Sequence, residues 1–128
     1  MQVVNKDALH PQDFEEVSGK VRIKKQTKSY LLAFKNGAQP WNNNTANGLR
    51  QCNIRNGFGI IHLDFKKTGS NPIVAELPSD CPTPLSLIED QLHDGNTVYI
   101  DGGSRVVRCY GATNVRYVVN LVGYFNED

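Results

Sequence analysis

Near its C-terminus the chain reads Arg116-Tyr117-Val118-Val119-Asn120-Leu121-Val122-Gly123-Tyr124-Phe125, and this stretch decides the fold. It is β-branched or aromatic almost throughout, which is strand composition. Apolar residues fall at both odd and even positions, so both faces of the strand should be covered. That pattern predicts a central strand, not an edge.

Working outward, the neighbouring text is also β. Arg105-Val106-Val107-Arg108-Cys109-Tyr110 follows a hairpin turn at Asp101-Gly102-Gly103-Ser104, which in turn follows Thr97-Val98-Tyr99-Ile100. Phe58-Gly59-Ile60-Ile61-His62-Leu63-Asp64-Phe65 is a strand entered from Asn56-Gly57, a strong hairpin turn pair. Leu49 to Ile54, Ile73 to Leu77 and Leu85 to Ile88 read as shorter strands, the last two separated by Pro78, Pro82 and Pro84. Tyr30-Leu31-Leu32-Ala33-Phe34 reads as one strand ending at Asn36-Gly37, and Lys20 to Lys24 alternates polar and apolar residues at period two. Asp13 to Glu16 suits one helical turn, and residues 1–16 are expected to form a tail or connector ahead of a domain over 17–128. Short strands with frequent turns and no amphipathic helix give an all-β class. A single antiparallel β-sandwich or jelly roll is expected.

Composition supports a globular domain. The 128 residues are 39% hydrophobic, enough to fill one core. No apolar run approaches the ~20 residues of a membrane helix, so no membrane insertion is expected. Met1 to Asp7 lacks the basic-then-apolar order of a secretory signal. Cys52, Cys81 and Cys109 are odd in number and widely spaced, with no CxxC pair, and are expected as small buried hydrophobes.

The net charge of +1 hides an asymmetry. Val17 to Leu63 holds Lys20, Arg22, Lys24, Lys25, Lys28, Lys35, Arg50 and Arg55 with no acid. Glu76 to Asp101 holds Glu76, Asp80, Glu89, Asp90, Asp94 and Asp101 with no Lys or Arg. Interleaving in space would cancel this, whereas a basic face meeting a neighbour's acidic face would use it. Nucleic-acid binding by the basic part is the third reading.

Motifs for catalysis are missing: there is no Walker loop, GxSxG or HExxH, and the three histidines do not cluster. No enzymatic activity, metal or cofactor is expected. Asn56-Gly57-Phe58-Gly59 echoes the glycine-aromatic runs on which bases stack, but the second aromatic is replaced by Ile60, so nucleic acid is disfavoured. Trp41, beside Pro40 and Asn42-Asn43-Asn44, is read either as a core or interface residue or as a sugar contact. In the second case its flat ring would be ringed by amides.

The order from Ala75-Glu76-Leu77-Pro78 through Asp94-Gly95-Asn96-Thr97-Val98-Tyr99-Ile100 and Asp101-Gly102-Gly103 to Arg116–Phe125 resembles the C-terminal head domain of bacteriophage tail-fibre and baseplate receptor-binding proteins. The resemblance covers residues 57–125, and 17–56 more loosely. It implies a homotrimer that binds a host-surface glycan or protein receptor and sits beside other tail or baseplate proteins. It also implies a place in the virion tail after synthesis in the host cytoplasm. Binding loops vary among such heads, so no site residue carries over. The residues expected to bind are Trp41, Asn43, Asn44 and Arg50 in the 39–50 loop, with Asp94 and Asn96 in the 93–96 turn. The alternatives are a structural virion component, such as a capsid decoration or tail-tip subunit, and a single-stranded nucleic-acid-binding β domain.

Overall fold

Phe58 to Lys66 (β7) and Arg116 to Tyr124 (β12) form the longest ladder, pairing residue for residue from Phe58↔Tyr124 to Lys66↔Arg116. The computed structural model describes residues 14–17, 20–23, 27–43, 46–92 and 96–126. On the far side of β7 lie β6 (Arg50–Arg55) and β5 (Gln39–Pro40), and β3 (Lys28–Leu31) pairs with β6. The first sheet therefore runs β12-β7-β6-β3, with β5 beside β7. A second sheet runs β4-β8-β11-β10-β9, from β4 (Ala33–Phe34), β8 (Ile73–Glu76), β9 (Ile88–Gln91), β10 (Thr97–Ile100) and β11 (Val106–Tyr110). A separate hairpin pairs β1 (Phe14–Val17) with β2 (Lys20–Ile23). Every pairing among the described residues is antiparallel. Helix among the described residues is limited to 3-10 turns at Trp41–Asn43 and Asn47–Leu49.

The β6–β7 hairpin shows why the sequence folds this way. Asn56 and Gly57 both have positive φ, 53° and 77°, the pair of left-handed residues that a tight hairpin turn needs. From that turn the register puts Cys52 opposite Ile61 and Ile54 opposite Gly59 on the inner face. Ile54, Ile61, Leu63, Phe65, Val119 and Leu121 of the first sheet share one buried cluster with Val74, Val98, Ile100, Val107 and Cys109 of the second. Phe65 bridges the layers, its ring 6.2 Å from Phe34 and 5.4 Å from Tyr117. Burying side chains of this size supplies roughly 1.5–3 kcal/mol each. Cys52, Cys81 and Cys109 are all buried and unbridged, as small core residues.

Four local expectations change. Phe14–Val17 is a strand and not a helical turn, since its residues pair one by one with β2. Tyr30 to Phe34 is two strands broken at Leu32, which is fully buried and whose N–H donates to Arg50 O at 2.9 Å. There the chain passes from the first sheet to the second. Leu85 to Leu87 is not a strand; β9 starts at Ile88, and Pro84 makes only a single bridge to Phe125. Proline cannot donate to a ladder, and Leu85 and Leu87 are exposed.

The fourth change concerns β12, which ends its sheet instead of lying at its centre. Tyr117, Val119 and Leu121 point into the core, while Val118, Val122 and Tyr124 are exposed. On its outer face Val122 and Tyr124 lie against Ile60 and Phe58 of β7, while Val118 lies against Asp64. The free edge is guarded by β9 and the segment before it: Asn120 N–H donates to Asp90 Oδ2 at 3.2 Å, and Leu85 N–H to Tyr124 O at 3.0 Å.

Charge divides between the sheets in part, with Arg108 of β11 and Asp64 of β7 as exceptions. Lys28, Arg50 and Arg55 belong to β3 and β6 of the first, while Glu76, Glu89 and Asp90 belong to β8 and β9 of the second. The ion pair between Lys35 Nζ and Glu76 Oε1, 3.9 Å apart within the second sheet, is exposed and contributes little.

Candidate functional site

The expected binding residues are distributed over separate elements. Trp41 opens the 3-10 turn that follows β5, held there because Pro40 pairs with Phe65 of β7. Asn42 and Asn43 both take left-handed backbone, φ 55° and 57°, which asparagine tolerates better than most residues. Trp41 is half-buried and Asn43 exposed. Arg50 begins β6, and its Nη1 donates to Leu32 O at 2.9 Å, so the guanidinium braces the crossing between sheets. Asn96, at the head of β10, accepts the Leu92 N–H through its own carbonyl at 2.8 Å. Asn44 and Asp94 lie outside the described residues. Trp41 and Asn43 thus adjoin the first sheet, and Asn96 the second.

Two exposed faces stand out instead. On the outer face of β7 and β12, Phe58, Ile60, Val118, Val122 and Tyr124 are all exposed. The register sets Phe58 against Tyr124 and Ile60 against Val122, and the two rings meet edge to face with centroids 5.4 Å apart. The contiguous apolar group of Phe58, Ile60, Val122 and Tyr124 ends at His62, whose Nδ1 lies 2.7 Å from Asn120 Oδ1, and Val118 stands beyond that polar pair, opposite Asp64. Beyond it Arg116 grips Asp64 with two bonds, Nε to Oδ1 at 2.9 Å and Nη2 to Oδ2 at 2.6 Å. That ion pair holds the Arg116 guanidinium above its ordinary value, first through the hydrogen bonds and then through the carboxylate charge.

On the outer face of the second sheet, Arg108, Tyr99 and Glu89 form one row across β11, β10 and β9. Tyr110, Thr97 and Gln91 form the next. The rings of Tyr99 and Tyr110 lie 6.0 Å apart and only 11° from parallel. Desolvation raises the Tyr99 phenol above its usual value, and its hydrogen bond to the Tyr110 hydroxyl adds to that. This pair was within reach of the sequence: Val98 and Ile100 turned inward leave Tyr99 outward, and Val107 and Cys109 turned inward leave Arg108 and Tyr110 outward.

A cleft of about 390 Å³ is lined by Lys28, Tyr30, Asp80, Cys81, Thr83 and Arg105. The Arg105 Nη1 donates to Pro78 O at 2.8 Å and Cys81 O at 2.5 Å, so this cation is tied to backbone. Cys52 and Cys81 share a hydrogen bond that pushes the Cys52 thiol up, with burial acting the same way. The same bond, helped by Arg105, pulls Cys81 down. Among the described residues, no group of three or more His, Cys, Asp or Glu side chains could hold a metal ion. No helix among them is long and apolar enough to cross a membrane. No protein family, curated protein or solved structure matches the chain.

Proposed function

We propose that this chain is the head of a bacteriophage tail receptor-binding protein, a β-sandwich of jelly-roll type. It assembles as a homotrimer and attaches the virion to a host-surface glycan or protein without catalysing a reaction. The observation that carries this reading is the exposed apolar stripe of Phe58, Ile60, Val122 and Tyr124. Contiguous apolar patches on soluble proteins usually mark interaction sites.

A second copy of the chain is the occupant that fits. The stripe is flanked on one side by β6 and β3, with Arg55 and Lys28, and on the other by β9, with Asp90. Head-to-tail packing would set one copy's basic flank against the next copy's acidic flank, and such heterologous contacts close into rings. Three copies would then present three identical outward faces, so weak single contacts add up through effective concentration. The strand order that resembles tail-fibre heads supplies the class of target.

Staining tests the reading. Fluorescently labelled protein should bind the surface of susceptible bacterial cells, and excess unlabelled protein should displace it. Binding to virions that lack the protein, with bare cells left unstained, would make it a structural virion component instead.

A further inference from the structure

We propose that the outer face of β9, β10 and β11 is a saccharide-binding platform. Tyr99 and Tyr110 take the C–H face of a neutral sugar ring, while Glu89 and Arg108 hold its hydroxyls. This rests on the attachment reading and gives it a site that differs from the Trp41 loop.

The first ground is the rings. Tyr110 is 52% exposed, and its near-parallel partner Tyr99 stands beside it on the next strand. Aromatic faces carry negative potential and attract the weakly positive C–H bonds of a sugar's apolar face. The sheet ladder and the near-parallel stacking of the two rings fix both in advance, which spares a ligand the ordering cost.

The second ground is what flanks them. Arg108 and Glu89 lie on either side of Tyr99 in a single cross-strand row, separated by two strand spacings, roughly 10 Å. A donor fork and an acceptor carboxylate at that separation can engage hydroxyls at both ends of a ring lying between them. Neither side chain forms an ion pair among the described residues. Arg50, Arg105 and Arg116 are by contrast all committed to Leu32 O, to Pro78 O and Cys81 O, and to Asp64. Thr97 and Gln91 add neutral polar groups in the adjacent row.

The third ground is charge, which separates a sugar from a nucleic acid. Nucleic acids also stack on tyrosines, but their phosphates need surrounding cations. Around Tyr99 the one cation, Arg108, is set against Glu89 and the Asp101 charge, so the face offers no excess of cations for a phosphate backbone. A neutral polyol suffers no such penalty.

The test is an NMR titration of isotope-labelled protein with glucose, galactose, N-acetylglucosamine and rhamnose, and separately with a twelve-nucleotide oligothymidylate. At least one sugar should shift signals of Tyr99, Thr97, Arg108 and Tyr110 while Trp41 stays still. Y110A and E89Q should each weaken that sugar about tenfold with the rest of the spectrum unchanged. A flat response to all four sugars, shifts centred on Trp41, or a response to the oligonucleotide alone would overturn the proposal. Cell staining keeps the two readings apart. If a folded Y99A/Y110A double variant stains cells as wild type does, this platform is wrong and attachment stands. If wild type fails to stain susceptible cells, the attachment reading itself falls.

Discussion

Asp64 is one of only two charged side chains buried among the described residues, at 5% exposure, and the other is Lys67. Each is held by a partner far away in sequence. Arg116 meets Asp64 with a two-pronged grip, and Lys67 Nζ donates to Cys109 O at 3.0 Å and to Gly111 O at 3.4 Å. Charge-assisted bonds contribute roughly 1.5–3 kcal/mol when one member is shielded from water. Asp64→Ala is therefore expected to lower unfolding free energy by about 2 kcal/mol, read as a fall in the urea midpoint at unchanged slope. An unchanged midpoint would mean that the pair is only a surface contact. Neither role was legible beforehand. Asp64 sat in a predicted strand and Lys67 at its end, but Asp64 meets Arg116 only once β12 pairs with β7, and Lys67 is buried only where it reaches the end of β11. Arg50 teaches the same lesson, because its bond to Leu32 O exists only where the chain changes sheets.

At the scale of elements, Gly59 and Gly123 face each other across the β7–β12 ladder. A methyl group on Gly59 would sit 2.5 Å from the Phe125 ring, and one on Gly123 would sit 2.7 Å from Ile88 Cδ1. The paired glycines leave the room that Phe125 and Ile88 fill, and this lets the second sheet close against the first. Phe58-Gly59 is thus turn-and-core usage, with Phe58 outward on the apolar stripe and Gly59 inward. Gly59→Val should cost about 1–3 kcal/mol by overpacking, and trimming Phe125 to Leu in the same chain should recover part of the loss. Equal losses in the single and double variants would show that the ring is not the obstacle. The longer strands were readable, since period-two alternation and the Asn-Gly and Gly-Gly turns specify them locally, whereas Phe14–Val17 reads as a helical turn and Leu85–Ile88 as a strand that runs instead from Ile88 to Gln91. The places of the strands in the sheets were not readable. The break at Leu32 and the terminal position of β12 follow from long-range pairing, and an apolar outer row reads the same whether the chain or a neighbour covers it.

At the scale of the whole molecule, the basic residues of β3 and β6 and the acidic residues of β8 and β9 fall in different sheets among the described residues. The two outward faces differ accordingly, one an apolar stripe suited to a neighbouring copy, the other a tyrosine pair between an arginine and a glutamate. The Trp41 loop was the conspicuous candidate in the sequence because a lone Trp among asparagines is rare text. The tyrosine pair is assembled only when β10 and β11 come into register. Solution mass by light scattering tests this account most directly, measured at low and moderate salt for the wild type and for Val122→Lys on the stripe. The account predicts a wild-type particle near three times the 14.3 kDa chain mass, with Val122→Lys a folded monomer. A wild type that stays monomeric across concentration would contradict it.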